Sequence, residues 1–175
     1  MELDKNYVKT EILTIPGLRE KLRENKYDEV FDLCKSTAKK RQLAASLYFA
    51  KVDFLKYMTR IPDSLFREVE NMTSITIPGN IKEIGDLAFF GTGLEEVKFE
   101  EGLEKIGNGA FSQTKIKEVH LPKSVKELGQ SALGKAVVYC FLTSDKVMEP
   151  EFNFGNFTAN DVINQETGEL VKERR

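Results

Sequence analysis

The feature that most constrains this chain is a motif that recurs every 22 residues between Met72 and about Leu142. Three copies read MTSITIPGNIKEIGDLAFFGTG, LEEVKFEEGLEKIGNGAFSQTK and IKEVHLPKSVKELGQSALGKAV, and a fourth copy begins with VYCFL at Val138. A fixed period in this range is typical of a solenoid, in which each copy buries its apolar side only against neighbouring copies. The sequence therefore predicts a stack of coils over this stretch.

The first half of each copy alternates apolar with polar residues, as in Ile75 and Ile77 around Thr76. Alternation of period two among branched and aromatic residues predicts a short strand whose apolar side chains face inward. Stacked copies then form a parallel sheet with strands about 4.8 Å apart. The equivalent outward residues form two predicted ladders, which are Ser74–Glu96–Glu118 and Thr76–Lys98–His120.

The second half of each copy contains an Ile-Gly or Leu-Gly pair, followed by a small Ala and a large Phe or Leu. We interpret the recurring glycines, which are Gly85, Gly107 and Gly129, as tight turns with positive φ. Phe89 and Phe111 are predicted to fill the core. One helical or 3₁₀ turn per copy is expected to return the chain on the side opposite the sheet.

Residues 1–60 carry the periodicity of amphipathic helices and predict a helical cap on the first coil. Helical patterns begin near Val8, Leu18, Tyr27 and Gln42. The third of them runs to Ala38, and the last runs to Met58 and is apolar nearly all round. A helix of that kind is covered on several sides, so we expect it to pack on both the other helices and the solenoid. The next stretch, 61–71, is predicted to be the back half of an incomplete repeat, because Ile61, Leu65 and Phe66 share the spacing of Ile84, Ala88 and Phe89.

The segments SITIPGNIKEIGDLAFFGTGLEEV and IKEVHLPKSVKELGQSAL resemble the BspA-type (Treponema pallidum-type) leucine-rich repeat. The resemblance implies a curved solenoid with a parallel sheet on one face, which binds proteins or other macromolecules without catalysis. Similar repeats occur in bacterial surface proteins, in protist proteins and in small phage-encoded proteins. With few copies and a helical front end, this chain is expected to be an intracellular, phage-encoded member that binds or inhibits a host protein.

Together these patterns predict an α+β fold in three parts. They are a cap of about three helices over 1–60, leucine-rich repeats over 61–142, and a C-terminal capping tail over 143–175. In the tail, Phe152, Phe154 and Phe157 are expected to cover the end of the solenoid, the alternative being a knob through which copies of the chain associate. The segment from Val162 to Val171 is predicted to be a hairpin with a turn through Glu166, Thr167 and Gly168.

Composition excludes several classes of function. A net charge of −2 argues against nucleic-acid binding by bulk attraction, and no apolar run approaches the length of a membrane span. The first residues lack the pattern of a signal peptide, which favours the cytoplasm. One histidine and two cysteines make no zinc set, so we expect no metal, no cofactor and no enzymatic activity. A Cys140–His120 pair is the one nucleophilic arrangement that the repeat would allow, if Cys140 lies one coil beyond Glu118.

We therefore predict a protein partner that contacts the outward face of the sheet. The candidate contacts are Ser74, Thr76, Glu96, Lys98, Glu118 and His120. The alternative is a nucleic-acid surface formed by Lys35, Lys39, Lys40 and Arg41. These four residues are also explained as cations at the end of the helix that begins near Tyr27, where they would complement the helix dipole.

Overall fold

The computed structural model describes residues 14–141 and 161–172, and the first of these ranges begins with three helices. They are α1 (Leu18–Arg23), α2 (Tyr27–Leu33) and α3 (Thr37–Phe49), followed by a 3₁₀ turn at Leu55–Tyr57. The helix predicted near Val8 and Ile12 lies outside the described residues, and the prediction of three helices before a solenoid is confirmed. Buried Leu18, Val30 and Phe31 join the helices to the rest of the core.

Two helix boundaries differ from the sequence prediction. Helix α2 ends at Leu33 and does not continue to Ala38. Helix α3 ends at Phe49 and does not continue to Met58. After α3, the N–H of Lys51 donates to the carbonyl of Tyr48 and the N–H of Val52 donates to that of Leu47, both at 3.0 Å. This is the Schellman arrangement, and Lys51 takes its left-handed position with φ 57°.

The solenoid has two short strands per coil. The rear sheet is parallel, in the order β1 (Arg60–Ile61), β3 (Glu83–Ile84), β5 (Lys105–Ile106) and β7 (Glu127–Leu128). Since Ile61 pairs with Ile84, the prediction of an incomplete repeat at 61–71 is confirmed. The predicted helical or 3₁₀ turn per copy is not formed as a helix. A two-residue strand and hydrogen-bonded turns return the chain instead, as where the N–H of Ala88 donates to the carbonyl of Gly85 at 3.3 Å.

The front sheet is divided between the second and third coils. Strands β2 (Ser74–Ile77) and β4 (Glu96–Phe99) pair in parallel, and β6 (Glu118–His120) pairs instead with β8 (Val137–Cys140). The predicted ladders are therefore right for Ser74–Glu96 and Thr76–Lys98, and wrong where they continue to Glu118 and His120.

The third coil is also shorter than the repeat predicts. Glu118 pairs with Val137, whereas a period of 22 would place Cys140 beside it. The shortening lies in a tight turn, where Gly134 has φ 60° and the N–H of Ala136 donates to the carbonyl of Leu133. As a result, Cys140 lies on the inward face and is buried.

An aromatic stack forms the centre of the core. The rings of Phe66 and Phe89 stack with centroids 5.1 Å apart, and those of Phe89 and Phe111 with centroids 4.9 Å apart. The ring of Phe54, from the cap, lies 6.1 Å from that of Phe66. Because the stack crosses from cap to coils, the helices and the solenoid share one core.

The recurring glycines have a different role from the predicted turns. Gly85, Gly107 and Gly129 do not have positive φ; that conformation falls two residues later, at Leu87, Gly109 and Ser131. A Cβ on Gly107 would lie 2.7 Å from the backbone nitrogen of Asp86 in the preceding coil. Glycine is required there because the coils approach too closely for any side chain.

A hairpin closes the described part of the front sheet at its C-terminal end. Strand β9 (Val162–Asn164) pairs in parallel with β8 and antiparallel with β10 (Leu170–Lys172). The predicted hairpin is confirmed, and the turn contains Gly168 with φ 75°. The Phe152–Phe157 segment lies outside the described residues, so its role stays a prediction. Both cysteines are buried, and burial raises the pKa of Cys34.

Candidate functional site

A concave surface lies where the cap meets the front sheet, and we call it the cap groove. It has a volume of about 400 Å³ and lies between the end of α3 and strand β2. Its lining consists of Tyr48, Lys51, Val52, Asp53, Phe54, Leu55, Ser74, Ile75, Thr76, Glu96 and Lys98. Four of the six predicted contact residues are in this lining, and they stand beside residues of the helical cap.

The groove exists because α3 stops early. The Schellman turn at Lys51 directs the chain out of the helix, and the next residues run along the start of the front sheet. Phe54 anchors this segment, since its ring is buried and lies 5.9 Å from Phe31 and 6.1 Å from Phe66. A helix continuing to Met58 would leave no groove here.

Tyr48 joins the two walls of the cap groove. Its hydroxyl donates a hydrogen bond to the backbone carbonyl of Ser74, with the two oxygens 2.6 Å apart. Its ring packs edge-on against Phe66, and the ammonium of Lys51 lies 5.6 Å from the ring centroid. The hydroxyl therefore ties helix α3 to the first strand of the front sheet.

Removing this hydroxyl should destabilise the fold. We expect Tyr48→Phe to lower the free energy of unfolding by about 1 kcal/mol, because the mutant loses one hydrogen bond to a backbone carbonyl. Urea denaturation followed by far-ultraviolet circular dichroism measures the change. Tyr139→Phe is the matched control, since it keeps the ring that stacks on His120. Equal effects of the two variants would contradict the role assigned to Tyr48.

Three charged side chains of the groove are not balanced by an ion pair. Asp53 is paired with Lys56 at 3.1 Å, and hydrogen bonding to that carboxylate raises the pKa of Lys56. Among the described residues, Lys51, Glu96 and Lys98 have no opposite charge within ion-pair distance. The groove thus presents two cations and one anion to a partner.

The other two predicted contact residues lie apart from the cap groove. The ring of His120 stacks on Tyr139 with centroids 4.6 Å apart, and its Nδ1 lies 3.3 Å from Oε1 of Gln165. Glu118 lines a separate open cleft of about 670 Å³ at the division of the front sheet, together with Glu95, Lys115 and Lys117. The predicted surface is therefore two surfaces, the cap groove and the cleft at the division.

The arrangement at His120 supplies no nucleophile. The Cys140–His120 pair that a regular repeat would have allowed does not form, because the shortened third coil places Tyr139 beside His120 and turns Cys140 into the core. Across residues 14–141 and 161–172, no group of three His, Cys, Asp or Glu side chains could hold a metal ion. In the same ranges, no helix has the length and apolar content to span a bilayer.

The basic cluster of the alternative prediction is placed differently from expectation. Lys39, Lys40 and Arg41 lie near the start of α3, where cations oppose the helix dipole, so that explanation of the cluster is wrong. Arg41 donates to the carbonyl of Arg67 at 2.6 Å and to Glu68 at 3.1 Å. The hydrogen bonds that Arg41 and Arg67 donate to the carboxylate of Glu68 lower the pKa of Glu68. Arg41 is therefore engaged within the protein.

Sequence reasoning missed the contribution of Tyr48, Lys51 and Asp53 to the groove. It placed all three in one continuous helix up to Met58. The signal that normally ends a helix this way is a glycine at the left-handed position, and here that position is a lysine. Asp53 was the remaining local hint, since Asp is a poor helix former.

The comparison with protein families agrees with the coiled architecture. The model of the BspA type leucine rich repeat region matches residues 40–148 with six copies, which is more than half of the chain. The chain belongs to this family. The match begins inside α3, so the BspA-type pattern starts before the first strand. Repeat modules of this family are typically non-catalytic, and their solenoids are in general protein-binding modules.

One solved structure similar to this BspA-type chain is the crystal structure of the pneumococcal vaccine antigen PcpA. The identity is 21% and the TM-score 0.43, over 64% of this chain and 37% of that chain. The present chain thus matches little more than a third of the antigen's length. Among curated proteins, no sequence matches this chain.

Proposed function

We propose that the protein is a non-catalytic binding module that recognises another protein through the cap groove and the adjoining face of β2 and β4. The observation that carries this proposal is that the groove brings four outward residues of the repeats together with side chains of the helical cap. Concave surfaces of repeat proteins are their usual binding surfaces. Unpaired charges at Lys51, Glu96 and Lys98 would orient a partner and exclude others.

We further propose that the protein acts in the cytoplasm and is a phage-encoded member of its family that binds or inhibits a host protein. The support is the resemblance of the repeat segments to those of small phage-encoded proteins. A nucleic-acid partner is the alternative. It is less well supported because Arg41, one of the four basic residues, already bonds Arg67 and Glu68.

Charge reversal in the groove tests the binding site. We expect Lys98→Glu combined with Glu96→Lys to reduce partner recovery about tenfold in affinity capture from the native host, because both charges meet the partner. Glu118→Lys is the matched control, since Glu118 lies in the separate cleft and its replacement should leave recovery unchanged. Equal recovery by the wild type and the double variant would contradict the proposed site.

A gel-shift titration with single- and double-stranded nucleic acid separates the two candidate partners. Protein binding predicts no salt-sensitive shift at micromolar protein concentration. A shift that weakens with salt and is lost when Lys35 and Lys39 are replaced by alanine would favour the nucleic-acid alternative. Both lysines are exposed, so their replacement should not disturb the fold.

A further inference from the structure

Strand β2 has one free hydrogen-bonding edge. In the described residues it pairs only with β4, in the register Ser74–Glu96 to Ile77–Phe99. The bonds flanking this pairing run from Glu95 N–H to the carbonyl of Thr73 at 2.8 Å and from Glu100 N–H to that of Ile77 at 3.0 Å. Since the backbone groups of a strand alternate in direction, Thr73, Ile75 and Ile77 direct theirs towards β4. Ser74 and Thr76 direct theirs to the opposite edge.

The free edge opens into the cap groove. The carbonyl of Ser74 accepts the hydroxyl hydrogen of Tyr48, which approaches from the groove wall. Because β2 pairs only with β4 in residues 14–141 and 161–172, the sheet leaves the N–H of Ser74 and both backbone groups of Thr76 without a strand partner. An unpaired strand edge of this kind is a template for another extended chain.

The groove supplies an apolar floor and an excess of positive charge beside this edge. Phe54, Leu55 and Ile75 are buried at its base. Asp53 is balanced by Lys56, which leaves Lys51 and Lys98 against the single anion Glu96. A volume of about 400 Å³ is within the usual range for a small binding pocket.

We propose that the cap groove binds an extended, acidic segment of the partner protein, which adds to β2 as a further strand. Backbone hydrogen bonds form with Ser74 N–H and with both groups of Thr76. One apolar side chain of the segment covers the floor, and a carboxylate contacts Lys51 and Lys98. This inference rests on the proposed function and specifies how the partner is recognised.

The test uses peptides selected from a displayed library of random short peptides against the full chain, with affinities measured by fluorescence anisotropy. Thr76→Pro removes the free N–H, and proline is tolerated where an edge N–H faces away from the ladder. Thr76→Ala is the matched control, since it removes the side chain and keeps the N–H. We expect the selected peptides to be acidic. They should bind the Thr76→Pro variant about tenfold more weakly than the wild type, and the Thr76→Ala variant about as tightly.

A second measurement leaves the protein unchanged. Single N-methyl groups are moved along the selected peptide, and strand addition predicts that alternate positions lose about tenfold in affinity. The selected peptides could bind Thr76→Pro as tightly as the wild type, lose no affinity on N-methylation, and still bind Lys98→Glu more weakly. That result would overturn strand addition but would agree with the proposed function. A failure to select any peptide whose affinity responds to Thr76→Pro or Lys98→Glu would overturn both.

Discussion

Phe89→Ala is expected to lower the free energy of unfolding by about 3–5 kcal/mol, the largest effect of any substitution considered for this chain. Phe89 is fully buried in the middle of the aromatic stack, with Phe66 at 5.1 Å on one side and Phe111 at 4.9 Å on the other. Truncation leaves a cavity between coils whose backbones are held by hydrogen bonds on both sides of the ring. The surrounding coils therefore cannot close the cavity without a further loss of free energy.

Denaturation in urea, followed by far-ultraviolet circular dichroism because the chain has no tryptophan, measures this loss. Phe90→Ala is the matched control. Phe90 is the next residue, is only half-buried, and lies 5.1 Å from the guanidinium of Arg67. Its replacement should cost about 1 kcal/mol. If the two variants lowered the free energy of unfolding equally, the aromatic stack would not be a main source of the protein's stability.

Gly107→Ala is expected to be the second most damaging change, lowering the free energy of unfolding by about 1–3 kcal/mol. The added Cβ would lie 2.7 Å from the backbone nitrogen of Asp86 and 2.8 Å from the carbonyl carbon of Gly85. These atoms belong to the neighbouring coil and cannot rotate away as a side chain would. The substitution therefore forces two coils apart.

The same denaturation experiment separates close packing from backbone conformation. Gly168 has φ 75° and open space around it, so Gly168→Ala carries only the cost of a left-handed alanine, about 1 kcal/mol. Gly107 differs in both respects, because its φ is not positive and a Cβ added there would have no space. A smaller loss for Gly107→Ala than for Gly168→Ala would show that coil spacing does not select glycine at this position.

The stability of the stack and the shape of the candidate site are connected. Phe54 lines the cap groove and is in contact with the stack through Phe66. The position of the groove wall therefore depends on the same core that holds the coils together. Variants intended to test binding, such as Lys98→Glu and Thr76→Pro, change exposed residues and leave this core intact.

The sequence alone determined which side chains face inward over most of the repeats. Alternation at Ile75 and Ile77 identified buried positions, and the spacing of Ile61 and Phe66 identified a partial coil before the first full one. The turn residues Glu166, Thr167 and Gly168 identified the hairpin. These predictions succeeded because a residue's side of a strand, and the chemistry of a turn, are set within a few residues.

Tertiary packing sets where helix α3 ends, where the front sheet divides and how the candidate contacts are grouped. Lys51 ends the helix in a conformation that glycine normally takes, and the packing of Phe54 on Phe31 and Phe66 favours that turn. Because the third coil is shorter, Tyr139 pairs with His120 and Cys140 is buried. These outcomes depend on contacts between residues distant in sequence, where packing outweighs a local preference worth about 1 kcal/mol.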